Sequence, residues 1–106
     1  MGKMQRDKGN RFERSAVNAF KAFNIPAQRV PLSGATEYAK GDIEITLQEK
    51  IYRVECKARA AGFKQLYTWI DGNDLLVIKA DRQSALVVID LEEFCKLVQK
   101  EGTANE

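Results

Sequence analysis

The sequence predicts an α/β fold in the order helix, three strands, helix, two strands, helix. Three observations carry this. Apolar residues recur at helical spacing around residues 11–23, 62–71 and 91–98. Residues 41–47 and 51–58 alternate polar and apolar, the period of half-buried strands. Residues 75–78 and 85–89 are unbroken apolar runs, as expected of buried strands.

The first eight residues are basic and lack apolar periodicity, which predicts a flexible N-terminus. Asn10 then reads as a helix N-cap, with Glu13 three positions on as its capping-box partner. Phe12, Ala16, Ala19, Phe20 and Phe23 make one stripe. The first helix is therefore expected over 11–23, ending near Asn24 because Pro26 restricts Ile25. A short extended run follows from 27 to 31, then a loop from 31 to 37 with Ser33-Gly34 as a turn signal.

The next two strands hold the chemistry. Asp42, Glu44 and Thr46 share one face of the first, and Arg53, Glu55 and Lys57 one face of the second. Gln48-Glu49-Lys50 separate them, so a hairpin is expected. Two registers keep the apolar faces aligned. One sets Asp42 opposite Glu55 and Glu44 opposite Arg53; the other sets Asp42 opposite Lys57 and Glu44 opposite Glu55. Each brings two carboxylates side by side, and like charges directly opposite destabilise a sheet. A divalent cation with oxygen ligands is the natural reason to keep such a pair, with Lys57 as a fixed positive charge. The plain alternative is one solvated, mixed-charge face of a sheet.

Phe63, Leu66, Tyr67 and Ile70 give a second helix over 62–71, stopping at Gly72. Arg82-Gln83-Ser84 turns between the two apolar strands. Asp90 caps a last helix with Glu93 at its third position; Leu91, Phe94, Cys95 and Val98 are its inner stripe, and 102–106 should fray.

A chain of 106 residues suggests one domain, of ordinary soluble composition and without a run long enough to form a transmembrane helix. Cys56 and Cys95 lack metal-type spacing and read as small buried hydrophobes, reduced in a cytosolic setting. There is no histidine, which removes Ser-His-Asp and Cys-His catalysis and imidazole zinc binding. Net charge is +2 but uneven. Lys3, Arg6, Lys8, Arg11, Arg14, Lys21 and Arg29 face only Asp7 and Glu13 before Leu32, while the last segment is acidic. Such asymmetry suits a phosphate-facing side, although a charged terminus on a soluble protein is also common.

Asp42, followed across a hairpin by Glu55-x-Lys57, resembles the PD-(D/E)xK nuclease signature, with Gly41 where that signature usually has proline. Lys8-Gly9-Asn10-Arg11-Phe12-Glu13-Arg14 resembles the opening of archaeal-type Holliday junction resolvases, in which the glutamate belongs to the catalytic centre. Arg29-Val30-Pro31-Leu32-Ser33-Gly34 is similar to an Arg-Val-x-x-Ser-Gly stretch of that family, whose serine lies beside the cleaved phosphate. Gln65 falls where the family carries a glutamine near the metal site.

The resemblance implies a restriction-endonuclease-like core, with a central mixed five-stranded sheet flanked by three helices. It implies a metal-dependent endonuclease cutting four-way DNA junctions in recombination and repair, in the cytoplasm of a prokaryote or of an infected host cell. Asp42, Glu55 and the main-chain carbonyl of Cys56 are then the expected ligands of magnesium, for which manganese should substitute. Glu13 is expected on a second metal or a metal-bound water, and Lys57 on the attacking water or the charge at phosphorus. Lys8, Arg11, Arg14, Arg29, Arg59 and Lys64 should hold backbone phosphates, which position DNA without reading sequence. Symmetric cutting needs two sites, so a homodimer is expected, without membrane or small-molecule cofactor. The alternatives are a nuclease for nicked, flapped or single-stranded DNA and a non-catalytic DNA-binding module.

Overall fold

The computed structural model describes the backbone of residues 2–30 and 42–103 and the side chains of 8–30 and 42–99. The elements are α1 (Gly2–Ala22), β1 (Ala27–Arg29), β2 (Ile43–Leu47), β3 (Lys50–Val54), α2 (Lys64–Ile70), β4 (Leu75–Ile78), β5 (Leu86–Ile89) and α3 (Leu91–Thr103). Their succession is the expected one. Their hydrogen bonds form two antiparallel ladders, β1-β2-β3 and β4-β5, where one mixed five-stranded sheet was expected.

α1 starts at Gly2, not near Arg11. Lys3, Met4, Gln5, Arg6 and Lys8 are good helix formers, and together they carry the helix through Gly9 despite a cost of about 1 kcal/mol relative to alanine. Asn10 is thus inside the helix and caps nothing. The other end follows the expectation. Asn24 turns left-handed at φ 64°, Asn24 N donates to Lys21 O at 2.9 Å and Ile25 N to Phe20 O at 3.0 Å. This is a Schellman motif, closed by buried Phe20 and Ile25. The buried stripe is Ala16, Val17 and Phe20, with Val17 added to the expected set; Ala19 and Phe23 are half-buried and Phe12 is exposed.

Two compact units are present. The first comprises Met1–Ala58 and Cys95–Glu106. It buries Ala16, Val17 and Phe20 with Ile25, Ala27, Val30, Ile43, Ile45 and Cys95. β2 is its central strand, with Ile43 and Ile45 facing the core and Asp42, Glu44 and Thr46 alternating away from it. The β2–β3 turn is tight. Gln48 and Glu49 hold φ of 52° and 69°, and Lys50 already pairs with Leu47. Of the two registers the first is observed: Glu44 lies opposite Arg53 and Ile43 opposite Val54, which sets Asp42 against Glu55. β3 ends at Val54, so Glu55, Cys56 and Lys57 follow the strand rather than lie within it.

The second unit is Arg59–Phe94. α2 is shorter than the expected 62–71 and ends at Ile70; the turn after it passes through Gly72, whose φ of 81° glycine tolerates without a side-chain clash, while Asn73 N donates to Ile70 O at 2.8 Å. β4 and β5 pair with Leu75 opposite Ile89 and Ile78 opposite Leu86. They are not buried as their composition suggested: Leu75, Val77, Leu86 and Val87 are each more than half exposed. Asp90 caps α3 as expected, its Oδ1 accepting from Glu93 N at 3.1 Å. Cys95 is fully buried on α3, whereas Leu91 is exposed, and Gly102 and Thr103 are helical.

Candidate active site

Three segments of the first unit carry the acidic residues. From the N-terminal end of the buried stripe of α1, a step of three residues from Ala16 reaches Glu13, and a further three reaches Asn10. Both are half-buried. Glu13 is held by Arg29 of β1. Arg29 Nε donates to Glu13 Oε1 at 3.1 Å and Nη2 approaches the same oxygen at 3.0 Å. Arg29 Nη2 also donates to Asn10 Oδ1 at 2.8 Å. Capping therefore plays no part in what Glu13 does.

Asp42 stands at the mouth of β2. Its amide donates to Val54 O at 2.7 Å, its carbonyl accepts from Val30 N at 3.0 Å, and its carboxylate Oδ2 accepts from Cys56 N at 2.7 Å. The last contact is charge-assisted and pins the carboxylate to the Glu55–Cys56 peptide. Glu55 and Lys57 form an ion pair of 3.0 Å, both about half exposed. Glu44, the other acid on this face, is occupied between its two neighbours: Arg53 Nη1 lies at 2.8 Å and Gln28 Nε2 at 3.1 Å. That leaves Asp42 and Glu55 as the acids of the hairpin end.

Cys56 senses the result. Its thiol is pushed from 9.0 up to about 11, first by burial and then by the charges of Asp42, Glu13 and Glu55. Burial is the larger cause, and the acids add to it because their negative charge disfavours the thiolate. A thiol raised in the folded state stabilises the fold below pH 9.0, and that contribution is lost as pH rises through about 11. At pH 8 the native thiol should alkylate about a hundredfold more slowly than in urea, since the thiolate is the nucleophile. Asp42→Asn should speed native alkylation, with the modified residue identified by mass spectrometry. Cys95 is fully buried and should stay silent. A native rate equal to the unfolded rate would show that neither burial nor the acids raise the Cys56 thiol, and an unchanged rate in Asp42→Asn would remove that acid as a cause.

The donor chemistry is that of a hard cation: two carboxylates, Asp42 and Glu55, and the Cys56 carbonyl. Among the described residues no three acid, cysteine or histidine side chains close on one point. A cation that keeps most of its waters fits such a set. Glu13 is engaged by Arg29. Lys8, Arg11 and Arg14 are exposed on α1, while Arg29, expected on phosphate, is occupied with Glu13 and Asn10. In the second unit Arg59, Lys64 and Gln65 are exposed. Ser33 and Gly41 lie outside the described residues. Sequence reasoning missed the side-chain role of Asn10, whose signal was only its spacing of three from Glu13.

No helix among the described residues is long and apolar enough to cross a membrane. No curated protein and no solved structure matches the chain significantly. The family model of the archaeal Holliday junction resolvases matches residues 4–101. With this match added to the carboxylate-bearing hairpin end and the glutamate on its helix, the chain belongs to the archaeal Holliday junction resolvases, a family of nucleases for branched DNA.

Proposed function

We propose that this protein is a magnesium-dependent endonuclease that resolves four-way DNA junctions as a two-fold homodimer. The observation that supports it most is the Asp42 carboxylate held 2.7 Å from the Cys56 amide, in a register that sets Asp42 against Glu55 at the end of the hairpin. Repelling carboxylates are kept together where a cation belongs. Asp42, Glu55 and the Cys56 carbonyl would hold it, and when bound it supplies a nucleophilic hydroxide and neutralises charge at phosphorus; manganese should serve as well.

The chain's own groups do the remainder. Lys57 orients the attacking water or faces the charge growing on phosphorus, and its pairing with Glu55 keeps it near that carboxylate. Glu13 acts beside the Asp42–Glu55 pair, held in place by Arg29. Lys8, Arg11, Arg14, Arg59 and Lys64 hold backbone phosphates, which report shape rather than sequence. Ser33 at the scissile phosphate and Gln65 as a further site residue belong to the same reading.

The dimer is supported by exposed apolar surface. Tyr67, Trp69, Leu75, Val77, Leu86 and Val87 are each at least half exposed. Apolar patches of several hundred Å² usually mark an interface. Symmetric resolution needs paired cuts, and one small chain carries one site.

The test is cleavage of synthetic four-way junctions, nicked and flapped duplexes, single strands and matched duplex with magnesium. Preferential, paired cutting of the junction is expected. Equal cutting of flaps or single strands would favour the broader nuclease, and no cutting with magnesium or manganese would leave a DNA-binding module. Light scattering should give a dimer mass, and hybrids with Asp42→Asn subunits should nick one strand of a cruciform. A monomer making paired cuts in one binding event would end the dimer.

A further inference from the structure

Asn10 has no part in the cleavage reading so far, yet it sits where a polar residue needs a reason. It lies in the interior of α1, and asparagine is a weak helix former. It is half-buried, and its Oδ1 accepts from Arg29 Nη2 at 2.8 Å, shorter than either contact of Arg29 with Glu13. Oδ1 must face the guanidinium, because the amide nitrogen is a donor and arginine has no acceptor.

The geometry shows why one anchor is insufficient. Both contacts between Arg29 and Glu13 fall on Oε1. A guanidinium hung on one oxygen can pivot about it, whereas a fork bonded to both carboxylate oxygens cannot. The guanidinium is planar and rigid, so holding Nη2 at a second point fixes Nε as well. Asn10 and Glu13 lie on one face of the same helix, three residues apart, and grip Arg29 from two points.

We propose that Asn10 is a positioning residue that acts through Arg29 to orient the Glu13 carboxylate for junction cleavage. The inference rests on the reading of Glu13 as part of the cleavage site.

The full chain is compared with Asn10→Ala, Asn10→Asp and Glu13→Gln. Asn10→Ala should lower turnover about tenfold at saturating magnesium and junction, the effect of losing one hydrogen bond to a charged group. Junction binding should be unchanged and the melting temperature modestly lower, because alanine's helix preference offsets only part of the lost bond. Asn10→Asp keeps an acceptor oxygen and should restore turnover. In metal-free protein, the Arg29 Nε proton observed by NMR should exchange with water faster in Asn10→Ala and slow again in Asn10→Asp. Full turnover by Asn10→Ala beside an inactive Glu13→Gln overturns the inference and leaves the cleavage reading standing. Unchanged Arg29 exchange in Asn10→Ala, or an Asn10→Asp as slow as Asn10→Ala, overturns it too. A fully active Glu13→Gln removes Glu13 from the site and the inference with it.

Discussion

Asp42→Asn and Glu55→Gln are each expected to abolish junction cleavage, by about a thousandfold or more, while junction binding stays nearly intact. The loss reflects the several kcal/mol of charge stabilisation that a metal supplies, at roughly 1.4 kcal/mol per tenfold in rate. Binding survives because phosphate contacts from lysine and arginine dominate affinity. Asn at position 42 keeps an oxygen that can accept from Cys56 N, now 2.7 Å from Asp42 Oδ2, so the hairpin end should hold its geometry. The checks are single-turnover cleavage, a gel-shift titration and a melting curve for each variant. Full cleavage by either variant in magnesium would remove that residue from the site.

Glu13→Gln is expected to lower turnover about a hundredfold, the usual scale for a positioned acid or base. Its melting temperature should change little. Glutamine keeps an oxygen for Arg29, whose nitrogens lie at 3.0 and 3.1 Å, so shape is retained while charge is lost. Sequence alone allowed this glutamate to be a mere capping residue, but α1 begins eleven positions earlier, at Gly2 (13 − 2 = 11). Turnover at the unsubstituted rate would reduce Glu13 to a surface-to-strand tether for Arg29.

The hairpin was readable because its period is short and its charges are explicit. Ile43 and Ile45 could face only the core, and that left two registers to choose between. The structure takes the one that pairs Glu44 with Arg53 at 2.8 Å, where the other would have set Glu44 against Glu55. The end of α1 was equally readable, since Asn24 and Pro26 are strong local signals. Its start was not. Lys8-Gly9-Asn10 reads locally as a break, and only a partner distant in sequence, Arg29, shows what Asn10 is for. The apolar runs of β4 and β5 identified strands correctly but overstated burial, because composition does not say what covers a face. The match across residues 4–101 supplied what spacing could not, the family to which the acids belong.

Every fully buried apolar side chain among the described residues lies in the unit of Met1–Ala58 and Cys95–Glu106, and none in Arg59–Phe94. A two-stranded hairpin with little covering it is marginal in water. Amides of β2 should therefore open only with global unfolding, and those of β4 and β5 by cheap local fluctuations, unless a second subunit covers them. In the proposed dimer, protomer concentration would then govern lifetime as well as assembly. Limited proteolysis of the dilute chain should cut first within β4–β5, and raising the protomer concentration should slow that cut.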